Sequence, residues 1–140
     1  MVAQRYDDSI AQLKKAIELD PTDWWIHGLL GWAYARKGNY AEAIAEHERM
    51  PEQAYAVVPE NQMVASGIGW IYGLAGRRSD ALRIAEEFDQ LSSKAYVDYY
   101  CEAIVYAGLG DKDRAFQLLQ RAYEERSGAA RAADGCVWLR

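Results

Sequence analysis

The residues of this chain that could do chemistry are few, and their spacing limits what they could do. His27 and His47 are its two histidines. Two imidazoles supply half of a tetrahedral zinc set, and a closed site needs further nitrogen, sulfur or oxygen ligands. The nearest carboxylates, Glu46 and Glu48, read as a solvated helix face, so both histidines read as packed or half-exposed side chains. Glu86-Glu87 and Glu124-Glu125 are adjacent acids, but acid/base work between two carboxylates needs a concave, partly apolar pocket. Gly67, Gly69 and Gly73 in GIGWIYGLAG faintly resemble a dinucleotide-binding loop, which requires a strand before the glycines; here they lie within a helical stretch. Cys101 falls in a helical pattern as a small buried hydrophobe. Together with Cys136 it forms no disulfide framework, and a reducing compartment is expected. No Ser/His/Asp or Cys/His constellation is visible. The expectation is a non-enzymatic chain without metal or cofactor.

Composition supports a folded helical chain. At 140 residues it is one domain by length, large enough for a core without staples. Half of it is apolar, with ten Tyr and five Trp, which excludes a disordered chain. Proline is scarce, and Ala, Leu, Glu and Arg dominate, which suits helices. The net charge is −5, with acids and bases alternating along the chain. Nucleic acid would need a clustered basic footprint, and a membrane surface a polybasic one. No apolar run approaches the ~18 residues that span a bilayer. The N-terminal MVAQRYDDSIAQ lacks the apolar stretch of a secretory signal. No nucleic acid, no membrane and a cytoplasmic location are expected.

A repeat organises these elements. Gly38, Gly76 and Gly110 are 38 and 34 residues apart. Each follows a tyrosine by four residues (Tyr34, Tyr72, Tyr106) and precedes an alanine by five (Ala43, Ala81, Ala115). A glycine past the last helical turn closes a helix in the left-handed conformation. The polar residue that follows, Asn39, Ser79 or Asp111, can cap the next helix, and Asn39 with Glu42 has capping-box spacing. The small alanine lets two helices approach closely beside the tyrosine ring.

These residues resemble the tetratricopeptide repeat, a helix-turn-helix unit of 34 residues. The resemblance implies an all-α, right-handed superhelix of about seven antiparallel helices. Its domain covers 1–127: a half repeat over 6–21 and full repeats over 24–59, 62–93 and 96–127. The small residue of each first helix falls on Gly31, Gly69 and Ala103. The apolar residue before it is Leu30, then Ile68, but Glu102 in the third unit. The segment Trp24–Met50 is the most regular copy. Helices are expected over 5–19, 23–37, 40–50, 61–75, 79–92, 95–109 and 112–126. The wider first spacing places four extra residues between Met50 and Pro59, where Pro51 stops or kinks the helix and a single-turn or irregular segment follows. Residues 128–140 are expected to form a loosely ordered tail. Tyr106–Ser127 is also similar to the last repeat of tetratricopeptide regions in bacterial signalling proteins, although the sequence after it departs from that group.

What the resemblance implies for function is a concave groove lined by positions 2, 5, 9, 12 and 13 of each first helix. In the first unit these include Trp25, Trp32 and Arg36; in the second Met63, Trp70 and Leu74; in the third Tyr100 and Ile104. Gly28, Ala35, Gly73 and Ala107 would leave the groove open. The paired acids would lie on the convex side. Aromatic anchors dominate interface energies, so the groove is expected to bind a peptide or partner helix. It lacks the Lys and Asn set with which family members clamp acidic C-termini. Two alternatives stand beside this: a regulatory or sensory segment of a larger bacterial signalling protein, and a module that self-associates into a homo-oligomer through uncapped ends.

Overall fold

The computed structural model describes residues 2–132, which form helices and turns with no strand among the described residues. The helices are α1 (Val2–Leu19), α2 (Trp24–Lys37), α3 (Tyr40–His47), α4 (Glu52–Tyr55), α5 (Gln62–Leu74), α6 (Arg78–Ser92), α7 (Tyr99–Leu109) and α8 (Lys112–Ala132). α2/α3, α5/α6 and α7/α8 are hairpins stacked in a solenoid, and α1 packs against α2. The eighth helix, one more than the sequence implied, is the single turn α4. α8 continues to Ala132 rather than ending near residue 126, so the first part of the expected tail is helical. Residues 133–140, Cys136 among them, lie outside the described residues.

The three hairpin turns share one geometry, and the Tyr-Gly spacing explains it. Gly38, Gly76 and Gly110 have φ of 85°, 79° and 78°, where a side chain would be strained. The residue after each donates its N–H five residues back, to the carbonyl of the repeat tyrosine: Asn39 to Tyr34 at 2.9 Å, Arg77 to Tyr72 at 2.9 Å and Asp111 to Tyr106 at 3.0 Å. The glycine N–H bonds the carbonyl three residues back, completing a Schellman closure. A cation covers each tyrosine ring: Lys14 on Tyr34, Arg77 on Tyr72 and Arg114 on Tyr106, at 5.7, 4.6 and 5.3 Å.

Helix starts follow the sequence less closely. Asp23 and Asp98 cap α2 and α7, accepting from the N–H groups of Trp25 and Tyr100. Asp111 accepts from Arg114 as expected. Asn39 makes no side-chain cap bond, and Ser79 lies inside α6. The first helix of the third unit begins at Tyr99 because Asp98 caps it there; Ala95–Asp98 is extended or bent, and Val97 is buried in the core.

Pro51 acts as expected. α3 stops at His47, a turn carries the chain through Met50, and Pro51 in extended geometry opens α4. Ala54 buries this turn, and Asn61 Nδ2 donates to the Gln53 carbonyl at 2.7 Å, tying the insert to the start of α5. The insert stands between the first and second hairpins. α2 and α5 therefore touch sparingly, whereas α5 and α7 meet along their lengths.

Small residues set the α5–α7 contact. A β-carbon on Gly69 would come within 2.9 Å of Val105, and one on Gly73 would run into the Gly108 backbone. Gly73 was expected to leave the groove open; it instead lets the two helices close. Ala35, also placed in the groove, is buried with Ala43 and Ile71 between α2, α3 and α5. The largest cluster lies among α5, α6 and α7, with Ile68, Ile84, Phe88 and Val105 in contact. Each such side chain, fully buried, contributes about 1.5–3 kcal/mol.

Candidate functional site

Three first helices converge on one concavity of about 480 Å³. On α2, Trp25, Gly28, Trp32 and Arg36 recur at helical spacing and share a face. On α5, Met63, Gly67 and Trp70 do the same, and on α7, Tyr100, Ile104 and Ala107. Seven of the eight groove residues expected from the sequence thus line a common space: Trp25, Trp32 and Arg36, Met63 and Trp70, Tyr100 and Ile104. Leu74 does not; it is half-buried beyond the point where Gly73 and Gly108 bring α5 and α7 together.

The aromatic walls stand where a ligand would meet them. Trp25, Trp32 and Met63 are about half exposed, at 51%, 51% and 54%. The Trp32 and Trp70 rings face each other across the α2–α5 gap, with centroids 6.0 Å apart and planes tilted by 40°. Trp32 also lies over Gly67, where a β-carbon would stand at an ordinary contact distance of 3.9 Å from its ring. Trp24 meets Trp25 edge-on at 5.8 Å. Such wide, apolar walls with few polar groups are typical of binding sites.

The floor comes from the end of α3 and the turn that follows it. Met50 is buried beneath Gly28, and His47 Nδ1 is 3.3 Å from its sulfur. His47 Nε2 faces the space beside Gly31 and has no partner. Burial pushes the His47 imidazole down to about 4, so it is neutral at pH 7. Ser66 is fully buried and donates to the Met63 carbonyl at 2.8 Å.

Arg36 is the cation of the site. Its Nε donates to the Tyr6 hydroxyl at 3.1 Å, and its guanidinium lies 6.0 Å from the Tyr6 ring and 5.7 Å from the Trp32 ring. Arg36 and Trp32 also border a second furrow of about 560 Å³ between α1 and α2, lined by Tyr6, Leu13 and Leu29. A shift of 72 residues brings Ser9 onto Ala81 and Gly38 onto Gly110, so α1 and α2 correspond to α6 and α7. α5 packs on both members of that second pair, while the furrow of the first is open. Ile10, Leu13 and Ile17 of α1 pack on Leu30, Ala33 and Tyr34. At the other end, Phe116, Leu119 and Tyr123 leave an apolar stripe on α8 exposed.

Three polar side chains that carry no local signal in the sequence, Glu46, Gln62 and Glu102, are buried. Glu46 is not on a solvated face: it is buried, with Oε2 2.7 Å from His27 Nδ1 and Oε1 3.4 Å from Arg49. The pair joins α2 to α3 behind the groove. Its spacing of 19 residues gave no local signal. Gln62 clamps the α7 approach to α5: its Nε2 donates to the Tyr96 carbonyl at 3.1 Å, and its Oε1 accepts from Asp98 N at 2.7 Å. Glu102, at a position expected to be apolar, is 2% exposed, and Oε1 has no partner. Burial, with Asp89 nearby, pushes its carboxyl up to about 6. Among the described residues no three His, Cys, Asp or Glu side chains gather as a metal site, and no helix is long and apolar enough to cross a membrane.

Residues 3–56 match a family model described as tetratricopeptide repeat. No curated protein and no solved structure matches the chain significantly.

Proposed function

Because this chain is a tetratricopeptide-repeat protein, of a family whose repeats are in general protein–protein interaction modules, we propose that it binds a partner protein through the α2–α5–α7 cavity. The observation that carries this reading is the pairing of Trp32 and Trp70 across a gap of the solenoid, with Trp25 and Met63 half exposed beside them. Large, rigid aromatic side chains give contact area at low entropic cost and act as binding hot spots. The cavity of about 480 Å³ beside the paired rings has room for an apolar side chain of a helix or extended segment. No role is assigned to catalysis. A bacterial, cytoplasmic setting and a scaffold role belong to the same proposal; the likeness of Tyr106–Ser127 to repeats of bacterial signalling proteins supports the first.

The test is capture of partners by the wild-type protein and by Trp32→Ala/Trp70→Ala, both checked for folding by circular dichroism. Partners held by the wild type and lost from the variant support the reading. Equal capture by both would overturn it.

One observation favours a second reading. Phe116 and Tyr123 of α8 are 69% and 67% exposed and share a face with Leu119. This stripe would suit self-association, and a monomer at all concentrations in light scattering would exclude it.

A further inference from the structure

Resting on that reading of the cavity, we infer that the partner segment carries an Asp or Glu beside its apolar anchor, and that Arg36 selects it. Charge complementarity carries the inference. The cavity belongs to a chain of net charge −5, yet among the described residues no Asp or Glu lines it, and Arg36 is the one lining residue with a permanent charge. The neighbouring cation, Lys37, is paired with Asp7. Arg36 has no carboxylate within ion-pair distance among the described residues.

Its geometry is also prepared. The bond from Nε to Tyr6 and the flanking rings of Tyr6 and Trp32 hold the guanidinium in place. Its terminal nitrogens, the fork that meets a carboxylate through two parallel bonds, remain available. Because the side chain is already ordered, less entropy is lost when the anion arrives. The apolar walls of Trp32 and Trp70 reduce solvent screening around such a pair. The partner's apolar anchor would enter the cavity against the paired tryptophans while its carboxylate sits at the α2 end.

Two fluorescent probes test this: 1-anilinonaphthalene-8-sulfonate and N-phenyl-1-naphthylamine, which differ only in the anionic group. The wild type should bind the sulfonate more tightly than the neutral compound. Arg36→Gln should weaken the sulfonate about tenfold, some 1.4 kcal/mol, and leave the neutral probe within about twofold. Arg36→Lys should restore part of the loss. In the wild type, added salt should weaken only the sulfonate, which tests the idea even if Arg36→Gln does not fold. Equal responses of the two probes to Arg36→Gln, or no salt effect on either, would overturn the role of Arg36. Binding of both probes unaltered by Trp32→Ala/Trp70→Ala would instead overturn the cavity reading.

Discussion

Gly108 of α7 lies directly against the backbone of Trp70 on α5: a β-carbon on Gly108 would stand 2.5 Å from the Trp70 carbonyl oxygen. This contact fixes two walls of the cavity relative to each other. Trp70 is held by its own backbone, and Ile104 and Ala107 follow from the helix that presses on it. The third wall, on α2, is set apart by the insert that contains Pro51.

Gly108→Ala should therefore be costly although alanine favours helix. Overpacking of a tight contact costs about 1–3 kcal/mol or more, against a helix-propensity gain of about 1 kcal/mol. A fall in melting temperature of several degrees is expected by circular dichroism. Gly67→Ala is the control, since its β-carbon would meet only the Trp32 ring, at 3.9 Å. That variant should melt at the same temperature or higher.

The His27–Glu46 pair should behave as a unit. Removing either partner strands the other in a buried position, at a cost of about 1–3 kcal/mol. His27→Ala, Glu46→Ala and the double variant, compared by denaturant unfolding, should show a double cost well below the sum. Additive costs would mean that the 2.7 Å contact contributes nothing.

His47 gives the protein an acid limb. Its folded-state value, about 4, lies below the ordinary 6.5. The stability it contributes is complete above pH 6.5 and is lost as pH falls toward 4, by about 3 kcal/mol at most. His47→Leu should flatten stability across that window and change it little at pH 7.5.

Glu102 acts in the opposite sense. Its folded-state value is raised from 4.5 to about 6. The protonated form is favoured in the fold, so stability is highest below pH 4.5 and declines as pH rises through 6, by about 2 kcal/mol. Glu102→Gln should raise the melting temperature at pH 7.5 and remove that decline. The two trends partly cancel between pH 4.5 and 6 in the wild type, so single variants are needed to see either.

The legible parts of this protein are those written in local chemistry. The Tyr-Gly spacing predicted three helix closures, and each tyrosine carbonyl receives the closing bond. Pro51 predicted the break after α3. The resemblance to the repeat put Trp32 and Trp70 at the same groove position of successive units, and their rings meet there. What was missed depends on contacts distant in sequence. Glu46 looks like any charge on an exposed helix until His27 is brought to it. Gly73 looks like a small groove residue until Gly108 arrives. Asp98 moved a helix start by four residues because its side chain outcompetes the repeat register as a cap. Leu74 left the groove because the α5–α7 contact closes before it.

The most direct test of the cavity as the binding surface is site-specific photo-crosslinking. Benzoylphenylalanine replaces Tyr100, which lines the cavity, or Tyr123, which lies on the exposed stripe of α8. The account predicts crosslinks to the partner from position 100 and none from position 123. Crosslinks from position 123 alone would contradict it.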